Sequence, residues 1–370
     1  MRIENCPILI VANDYTTLYN FRLELLQRLV AEKYTVVVAL PHDDRNGAFV
    51  RLGCQVSEIP LSRFGTNPIA DFKTFLAIRK LIRSIRPLAV FTYTAKANIY
   101  GALACRVTGT PCICNVTGLG ANLQKKSLIG SIMLKLQKAA YKKATMVFCQ
   151  NPSNLQFLKE QGVLSDKTPC EVLPGSGVNL ADNPYEPLPE ETPDRKLRFI
   201  TIARIRQDKG YDELFSAIRT LNGAADFHIV GWYEDDSYKP IVEEMQSKFG
   251  VKFYENMPHE KVHGLIRECD CLIHPSHHEG MSNVILEAAA AGRPCIVSDI
   301  PGCKEGIDDG VSGLTFAVKD AVSLQNAITK FLSLSTTERN AMSRAARKKM
   351  ETQFDREFVI NRYLDVVKGL

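Results

Sequence analysis

The sequence of 370 residues lacks an apolar run that approaches the ~20 residues needed to span a bilayer. It begins MRIENCPILIVAND, with an acid and an asparagine before a short apolar run, which favours a strand over a signal peptide. Its eleven cysteines are an odd number without the spacing of a disulfide framework. We therefore expect a cytoplasmic protein with reduced thiols, and neither a spanning membrane protein nor a disulfide-rich secreted one.

Motifs of two other protein classes are also missing. No strand-like run is followed by G-x-G-x-x-G, the nearest matches being GLGANL (118–123) and GSGVNL (175–180). This absence argues against a dehydrogenase with two dinucleotide-binding domains. No recognition helix or aromatic RNA-binding motif appears, so we expect no nucleic-acid partner.

Charge is distributed unevenly along the chain. Residues up to Val178 contain 22 Lys and Arg against 11 Asp and Glu, whereas the remainder contains 24 against 30. A basic first half and an acidic second half indicate that the halves meet different partners. An anionic membrane surface, an anionic lipid-linked substrate or a nucleic acid would each suit the charge of the basic half.

Strand-like and helix-like segments alternate along the chain. Runs such as PILIVAN and TVVVALP are typical strands, and FKTFLAIRKLIRSIR (72–86) has helical spacing. The alternation stops in a proline- and acid-rich stretch at 174–196 and restarts at KLRFITIAR. We therefore predict an α/β protein of two doubly wound parallel-sheet domains, 1–178 and 179–354, with a crevice between them. Ligands of such sheets bind beyond the carboxyl ends of the strands.

The stretch HPSHHEGMSNVILEAAAAG (274–292) admits two interpretations. His274, His277, His278 and Glu279 are all metal-ligand types, but they lack the i, i+4 helical spacing of a zinc site. Alternatively, a strand, a glycine turn at Gly280 and a helix over roughly 281–291 provide free N–H groups that suit a diphosphate. The spacing alone leaves a capped surface helix equally open.

The segment ARIRQDKG (203–210) favours the nucleotide interpretation. It follows the first strand of the second domain, and Arg204 and Lys209 flank the turn. Two cations at such a position neutralise a departing diphosphate.

These residues together resemble the family-4 retaining glycosyltransferases of the GT-B fold. That family carries an acid, a glycine and a helix ending in a second acid, as in Glu279-Gly280-Met281-Ser282-Asn283-Val284-Ile285-Leu286-Glu287. It also carries an Arg/Lys pair after the first strand of the second domain, and its last helix, here about 355–370, crosses back onto the first domain. The segments NFR (20–22), TYTAKANIYG (92–101) and NVTGLG (115–120) are similar to the bacterial subgroup that extends undecaprenyl-diphosphate-linked sugars, N-acetylgalactosaminyltransferases included.

The resemblance implies a role for each matching residue. Arg204 and Lys209 would bind the donor diphosphate, and Glu279 would contact the transferred sugar and act with them in catalysis. The donor would also be bound by Gly280, Met281, Ser282, Asn283, Val284 and Glu287, with the backbone N–H groups of 281–284 on phosphate and sugar, Glu287 on the ribose, and His278 nearby. Lys96, Asn98, Thr117 and Gly118 would contact the acceptor or the sugar, although many relatives have a histidine where Thr117 stands. For Lys96 and Asn98 a solvated loop is equally open. We find no convincing D-x-D sequence, and expect neither a metal nor another cofactor.

A basic segment in the first half adds a membrane hypothesis. In KKSLIGSIMLKLQKAAYKK (125–143), Leu128, Ile129, Ile132, Met133, Leu136 and Ala140 follow helical spacing, and lysines 135, 138 and 142 form another face. Such a helix lies on an anionic leaflet or packs on a core. We favour peripheral association with the inner face of the cell membrane.

The sequence thus predicts a glycosyltransferase that moves a hexose or N-acetylhexosamine from a UDP-sugar to a polyprenyl-diphosphate-linked sugar. The first domain would bind the acceptor and the second the nucleotide sugar. The alternatives are an enzyme like UDP-N-acetylglucosamine 2-epimerase and a non-catalytic sugar-nucleotide-binding protein.

Overall fold

The computed structural model describes residues 6–62, 67–119 and 128–370. The chain divides into two compact units. The N-terminal unit comprises the residues up to Ser176 together with Phe358–Leu370, and the C-terminal unit is Gly177–Glu357. Each unit is built on one parallel sheet, which confirms the predicted fold class of two doubly wound α/β domains.

The sheet of the N-terminal unit has the strand order β3-β2-β1-β4-β5-β6-β7, and all neighbours are parallel. Its strands are β1 (Pro7–Val11), β2 (Thr35–Leu40), β3 (Gln55–Glu58), β4 (Ala89–Tyr93), β5 (Cys112–Val116), β6 (Met146–Cys149) and β7 (Cys170–Val172). The central strands are continuous apolar runs because helices cover both faces of the sheet. The strands β2 and β3 lie on one side of β1, and β4 to β7 lie on the other side. The strand order therefore reverses next to β1, which places the topological switch point between β1 and β4.

Three of the helices of this unit begin at a side-chain cap. They are α1 (Tyr15–Ala31), α2 (Gly47–Arg51), α3 (Pro68–Ile85), α4 (Ala95–Thr108), α5 (Leu128–Tyr141) and α6 (Pro152–Glu160). The α3 helix starts four residues before the predicted 72, because Asn67 accepts hydrogen bonds from the N–H groups of Ile69 and Ala70 and Pro68 occupies the first helical position.

The C-terminal unit repeats the plan with the strand order β10-β9-β8-β11-β12-β13, again all parallel. Its strands are β8 (Arg198–Ile202), β9 (Asp226–Gly231), β10 (Lys252–Glu255), β11 (Cys271–His274), β12 (Cys295–Ser298) and β13 (Gly313–Phe316). Its helices are α7 (Tyr211–Leu221), α8 (Lys239–Phe249), α9 (His259–Glu268), α10 (Asn283–Ala290), α11 (Ala321–Ser333) and α12 (Thr336–Lys349). The switch point of this sheet lies between β8 and β11.

The last helix, α13 (Arg356–Lys368), packs on the N-terminal sheet through an aromatic cluster. The ring of Tyr363 lies 5.2 Å from that of Phe91 and 5.0 Å from that of Phe148, centroid to centroid. The amide of Asn115 hydrogen-bonds the Tyr363 hydroxyl. These contacts bury α13 against β4, β5 and β6.

Two expectations about composition can be compared with this fold. All eleven cysteines are free thiols, as predicted. Within residues 6–62, 67–119 and 128–370, no helix has both the length and the apolar character needed to cross a membrane.

Candidate functional site

Two loops meet at the switch point of the C-terminal sheet. One follows β8 and contains a single turn of 3-10 helix, Gln207–Lys209, and the other follows β11. The N–H of His277 donates to the Asp208 carbonyl at 2.9 Å. Gly210 has φ +74°, and a Cβ there would lie 2.0 Å from the Pro275 carbonyl oxygen. Only glycine permits this approach, which brings the side chain of Lys209 to the loop after β11.

Lys209 and Glu279, 70 residues apart in the chain, form the centre of this site. The Lys209 ammonium lies 2.6 Å from Glu279 Oε1, and His274 Nε2 lies 3.0 Å from the same oxygen. The exposed fraction is only 13% for the Lys209 side chain and 16% for that of Glu279. Burial by itself raises the pKa of Glu279, but the hydrogen bond with His274 and the charge of Lys209 outweigh burial and hold that pKa below its ordinary value. Glu279 is therefore an ionised carboxylate held between two cationic or hydrogen-bonding partners.

A third loop, after β12, packs against the Glu279 turn. Gly302 follows β12 with φ +87°, and a Cβ there would lie 2.7 Å from the carbonyl oxygens of Glu279 and Gly280. The N–H of Ser282 donates to the Gly302 carbonyl at 2.9 Å. Sequence reasoning missed this support, although the Pro-Gly turn at 301–302 after a strand was the available signal.

The helix after Glu279 differs from the prediction. We expected it to begin near 281, but α10 begins at Asn283, and Ser282 is its N-cap residue without a capping side-chain bond. The Ser282 N–H is bonded to the Gly302 carbonyl, so a phosphate at this N–H would have to displace or share that bond, and the expected contact stays a prediction. Asn283 and Val284 occupy the first turn, where helical N–H groups have no partner within the helix. Glu287 lies half-buried on the next turn.

Arg204 is held by a carboxylate that sequence reasoning did not identify. Arg204 Nη1 donates to Glu234 Oε1 at 2.6 Å, and Arg206 Nη1 donates to Glu234 Oε2 at 2.8 Å. Glu234 follows β9, in the segment GWYEDD. Burial alone raises the pKa of Glu234, but its hydrogen bond to Arg206 and the charge of Arg204 give a net lowering. The pair of arginines and the shared carboxylate therefore form one charged network beside the Lys209 turn.

Two of the three histidines of the site are paired with carboxylates. His274 contacts Glu279, and His277 Nε2 lies 3.1 Å from Glu213 Oε1. Burial, with the nearby charge of Lys319, lowers the pKa of His278. In the part of the chain that the structure describes, no three His, Cys, Asp or Glu side chains cluster as metal ligands.

The N-terminal candidates occupy different environments. Asn98 is only 1% exposed; its Oδ1 accepts from the Thr92 hydroxyl at 2.7 Å, and its Nδ2 donates to the Asn115 carbonyl at 2.8 Å. The solvated loop is therefore wrong for Asn98, because this amide ties β4 to β5 inside the unit, and its expected contact with the acceptor or the sugar stays a prediction. Lys96 lies in the first turn of α4 and pairs with Asp71 at 2.8 Å. Thr117 and Gly118 are half-buried in the loop after β5.

Comparison with known proteins agrees with this architecture. Residues 8–151 match the family described as Glycosyl transferase 4-like, and residues 186–349 match Glycosyl transferases group 1. The N,N'-diacetylbacillosaminyl-diphospho-undecaprenol alpha-1,3-N-acetylgalactosaminyltransferase of Campylobacter jejuni is 28% identical over 364 residues, covering 94% of each chain. The UDP-Gal:alpha-D-GlcNAc-diphosphoundecaprenol alpha-1,3-galactosyltransferase of Escherichia coli is 26% identical over 324 residues, covering 82% of this chain and 79% of the relative.

A solved structure shares the fold across the whole chain. The crystal structure of Anabaena Alr3699/HepE in complex with UDP and glucose superposes with a TM-score of 0.78 at 15% identity, over 99% of this chain and all of that one. The two family matches fall one on each half of the chain, and the site just described lies in the second. The chain is a glycosyltransferase of the GT-B fold, with a glycosyl transferase 4-like N-terminal half and a C-terminal half of the glycosyl transferases group 1.

Proposed function

We propose that this enzyme transfers a hexose or an N-acetylhexosamine, with N-acetylgalactosamine the first candidate, from a UDP-sugar to a polyprenyl-diphosphate-linked sugar. The buried pair of Lys209 and Glu279 at the switch point supports the donor half of the proposal. Near-full-length similarity to a transferase named for an undecaprenyl-linked acceptor supports the acceptor half.

The donor is held by the loops after β8 and β11. Lys209 and Arg204 neutralise the diphosphate, and the N–H groups in the first turn of α10 donate hydrogen bonds to its oxygens. Glu279 accepts hydrogen bonds from hydroxyls of the transferred sugar. Glu287, one turn further along α10, accepts from the ribose.

The reaction proceeds with retention and gives an α-linked product. The bond between the anomeric carbon and the UDP oxygen breaks, and a bond forms between that carbon and the acceptor oxygen. The acceptor proton passes to the departing phosphate, so no side chain is required as a general base. Lys209 and Arg204 stabilise the negative charge that develops on UDP, and no metal ion takes part.

The acceptor is bound by the N-terminal unit, within 1–178 and the returning helix 355–370, and the donor by 179–354. Lys96, at the start of α4, and the loop of Thr117 and Gly118 lie at the carboxyl edge of the N-terminal sheet, where a ligand of this fold binds. The positive charge of Lys96 suits an anionic acceptor, although the ion pair with Asp71 neutralises part of that charge.

We further propose that α5 holds the enzyme on the inner face of the cell membrane. The side chains of Ile129 and Ile132 are 47% and 50% exposed, and Lys135 is exposed beside them. The predicted apolar residues of this helix therefore do not all lie in one environment. Ala140 is buried in the core, whereas the two isoleucines are exposed. Exposed apolar and basic side chains on one helix favour an anionic leaflet.

The function is tested with a panel of UDP-sugars and a short polyprenyl-diphosphate-linked sugar acceptor, with products identified by mass spectrometry. We expect product with at least one UDP-hexose or UDP-N-acetylhexosamine, without added divalent cation, and an α linkage by NMR. No product with any donor would contradict the proposal.

Membrane association is tested separately by sedimentation with vesicles. Wild type should bind vesicles that contain phosphatidylglycerol more than neutral vesicles. A double change of Ile129 and Ile132 to Ser should reduce that binding, whereas Val107→Ser on α4, which removes another exposed apolar side chain, should not. Equal binding by all three proteins would contradict the assignment of α5.

A further inference from the structure

We propose that Arg22 anchors a second anion site, at the switch point of the N-terminal sheet, that takes the diphosphate of the lipid-linked acceptor. The proposal rests on the proposed function for the identity of the ligand. It rests on the structure for the site itself, which includes none of the side chains that the sequence pointed to as acceptor contacts.

Arg22 is a buried cation with little to compensate its charge. It belongs to the inward stripe of α1, with Leu18 and Leu25, and is only 4% exposed. Nη1 donates to the carbonyl of its neighbour Phe21 at 2.8 Å. Nε is buried and has no hydrogen-bond partner, and no carboxylate pairs with the guanidinium within residues 6–62, 67–119 and 128–370.

Burying an unpaired charge is among the costlier arrangements in a protein. The ring of Tyr93 compensates part of this cost, since the guanidinium carbon lies 4.8 Å from its centroid. An apolar residue would fill the same stripe of α1 without that cost. An anion that completes its hydrogen bonds explains an arginine in this setting.

The position of Arg22 agrees with ligand binding. Tyr93 is the last residue of β4, and α1 follows β1, so the contact between them places the guanidinium at the carboxyl edge between β1 and β4. This is the switch point of the N-terminal sheet, where doubly wound folds bind their ligands. The C-terminal unit has Lys209 and Glu279 at the corresponding edge between β8 and β11.

Two further polar atoms at this edge are buried without a hydrogen-bond partner among the described residues. They are Oδ1 of Asn13, two residues after β1, and Oγ1 of Thr94, directly after β4. Thr94 also has φ +76°, an unfavourable conformation for a β-branched residue. Orphaned polar atoms on both strands that flank the switch point independently indicate a ligand that supplies the missing bonds.

The chemistry of these groups matches a diphosphate that carries a sugar. A guanidinium presents its donors as a planar fork that suits phosphate oxygens. An amide oxygen such as that of Asn13 accepts from a sugar hydroxyl and would repel a phosphate, and the Thr94 hydroxyl suits either. The ligand is therefore a sugar diphosphate with its phosphates on Arg22 and its sugar beside Asn13.

The test measures diphosphate binding with the donor site blocked. Farnesyl diphosphate is titrated by calorimetry into wild type in saturating UDP, and into Arg22→Met and Arg22→Lys. We expect one site in wild type, at least tenfold weaker binding in R22M, and intermediate binding in R22K, because a lysine offers charge without the fork. Inorganic pyrophosphate in place of farnesyl diphosphate shows whether the prenyl chain contributes.

Arg79→Met is the matched control, since Arg79 is a half-buried arginine of α3 whose Nε also lacks a partner among the described residues. R79M should bind as wild type does. Thermal unfolding shows that each variant is folded. If R22M does not fold, Asn13→Ala decides, with an expected loss of several-fold in affinity for a sugar-bearing prenyl diphosphate.

The kinetic counterpart separates this site from the donor site. In R22M the KM for the lipid-linked acceptor should rise at least tenfold, while the KM for the UDP-sugar stays within twofold. The proposal is overturned if wild type in saturating UDP binds no second diphosphate, if R22M binds as wild type does, or if R79M loses as much. If the protein transfers nothing to prenyl acceptors but still binds the diphosphate through Arg22, the proposed function fails and the anion site remains.

Discussion

The carboxyl edges of the two sheets are built alike and differ in how their charges are satisfied. At the C-terminal edge the charged groups are already paired, Lys209 with Glu279 and Arg204 with Glu234. At the N-terminal edge Arg22 is buried, and neither its Nε nor the hydroxyl of Thr94 has a hydrogen-bond partner among the described residues. One edge is internally neutralised, and the other carries a cation that the Tyr93 ring and one carbonyl compensate only in part.

The difference indicates two ways of preparing a site for a charged ligand. Paired charges are ordered before the ligand arrives, but some of their contacts must be replaced when it binds. An unpaired buried cation needs no such exchange, although it lowers stability until the ligand binds. The paired edge therefore suits a reaction centre that must keep its geometry between turnovers, and the unpaired edge suits recognition.

The largest effect is expected from Lys209→Ala at the paired edge. The change removes the ammonium 2.6 Å from Glu279 and, with it, the charge that we propose stabilises departing UDP. We expect kcat to fall by about 10²- to 10³-fold, a typical result for loss of one such group. Steady-state kinetics with the preferred UDP-sugar measure it.

The control for this prediction is Lys330→Ala, an exposed lysine of α11. It should leave kcat and the melting temperature unchanged. Wild-type turnover in folded K209A would show that the paired edge is not the reaction centre.

The next largest effect is expected at Asn98, whose amide has a structural role at the N-terminal edge. Asn98→Ala leaves the Thr92 hydroxyl and the Asn115 carbonyl without their buried partner. We expect the free energy of unfolding to fall by about 2 to 3 kcal/mol, measured by urea denaturation, with the acceptor KM of the folded protein unchanged.

Asn20→Ala, an exposed position on α1, is the matched control and should be neutral. An N98A protein of wild-type stability whose acceptor KM rises would instead support the expectation that Asn98 contacts the acceptor.

The contrast between Asn98 and Glu279 shows what the sequence could predict. The strand, glycine turn and helix around Glu279 are contiguous in the chain, so their pattern predicted both the elements and the carboxylate at the site. The environment of Asn98 depends on its hydrogen bond to Asn115, which lies 17 residues away on another strand. That of Arg204 depends on its hydrogen bond to Glu234, 30 residues away. Such pairings depend on strand order, which local periodicity does not determine. For the same reason the support of the Glu279 turn by Gly302 was not foreseen.

The two units should also differ in their response to acid. Of the seven histidines only His42 lies in the N-terminal unit, while buried His228 lies in β9. Burial, helped by Lys252 and Arg198, lowers the pKa of His228 to about 4. The unfolded chain takes up this proton near pH 6.5 and the folded chain near pH 4, so stability is complete above 6.5 and is lost as the pH falls toward 4.

His228→Leu should therefore reduce the acid sensitivity of the C-terminal unit by about 2 kcal/mol between pH 7 and pH 5. Urea denaturation at the two pH values measures it, followed by hydrogen exchange in each unit. His42→Leu, at an exposed position, should leave the sensitivity of the C-terminal unit unchanged. An H228L protein as acid-sensitive as wild type would place the titrating group elsewhere.

The smallest effect tests the cost of pairing at the C-terminal edge. Glu234 shares its two oxygens between Arg204 and Arg206, and in the proposed donor site the diphosphate must compete with it for Arg204. Because the groups are about one-third exposed, the competition is worth less than about 1 kcal/mol. Glu234→Gln should tighten UDP binding by about two- to fivefold at low salt, and less at high salt, as calorimetry would show.

Glu244→Gln, which breaks a similar pair with Arg219 on α7, is the matched control and should have no effect on UDP binding. Weaker UDP binding in E234Q would reverse the interpretation, since Glu234 would then hold Arg204 in place for the diphosphate instead of competing with it.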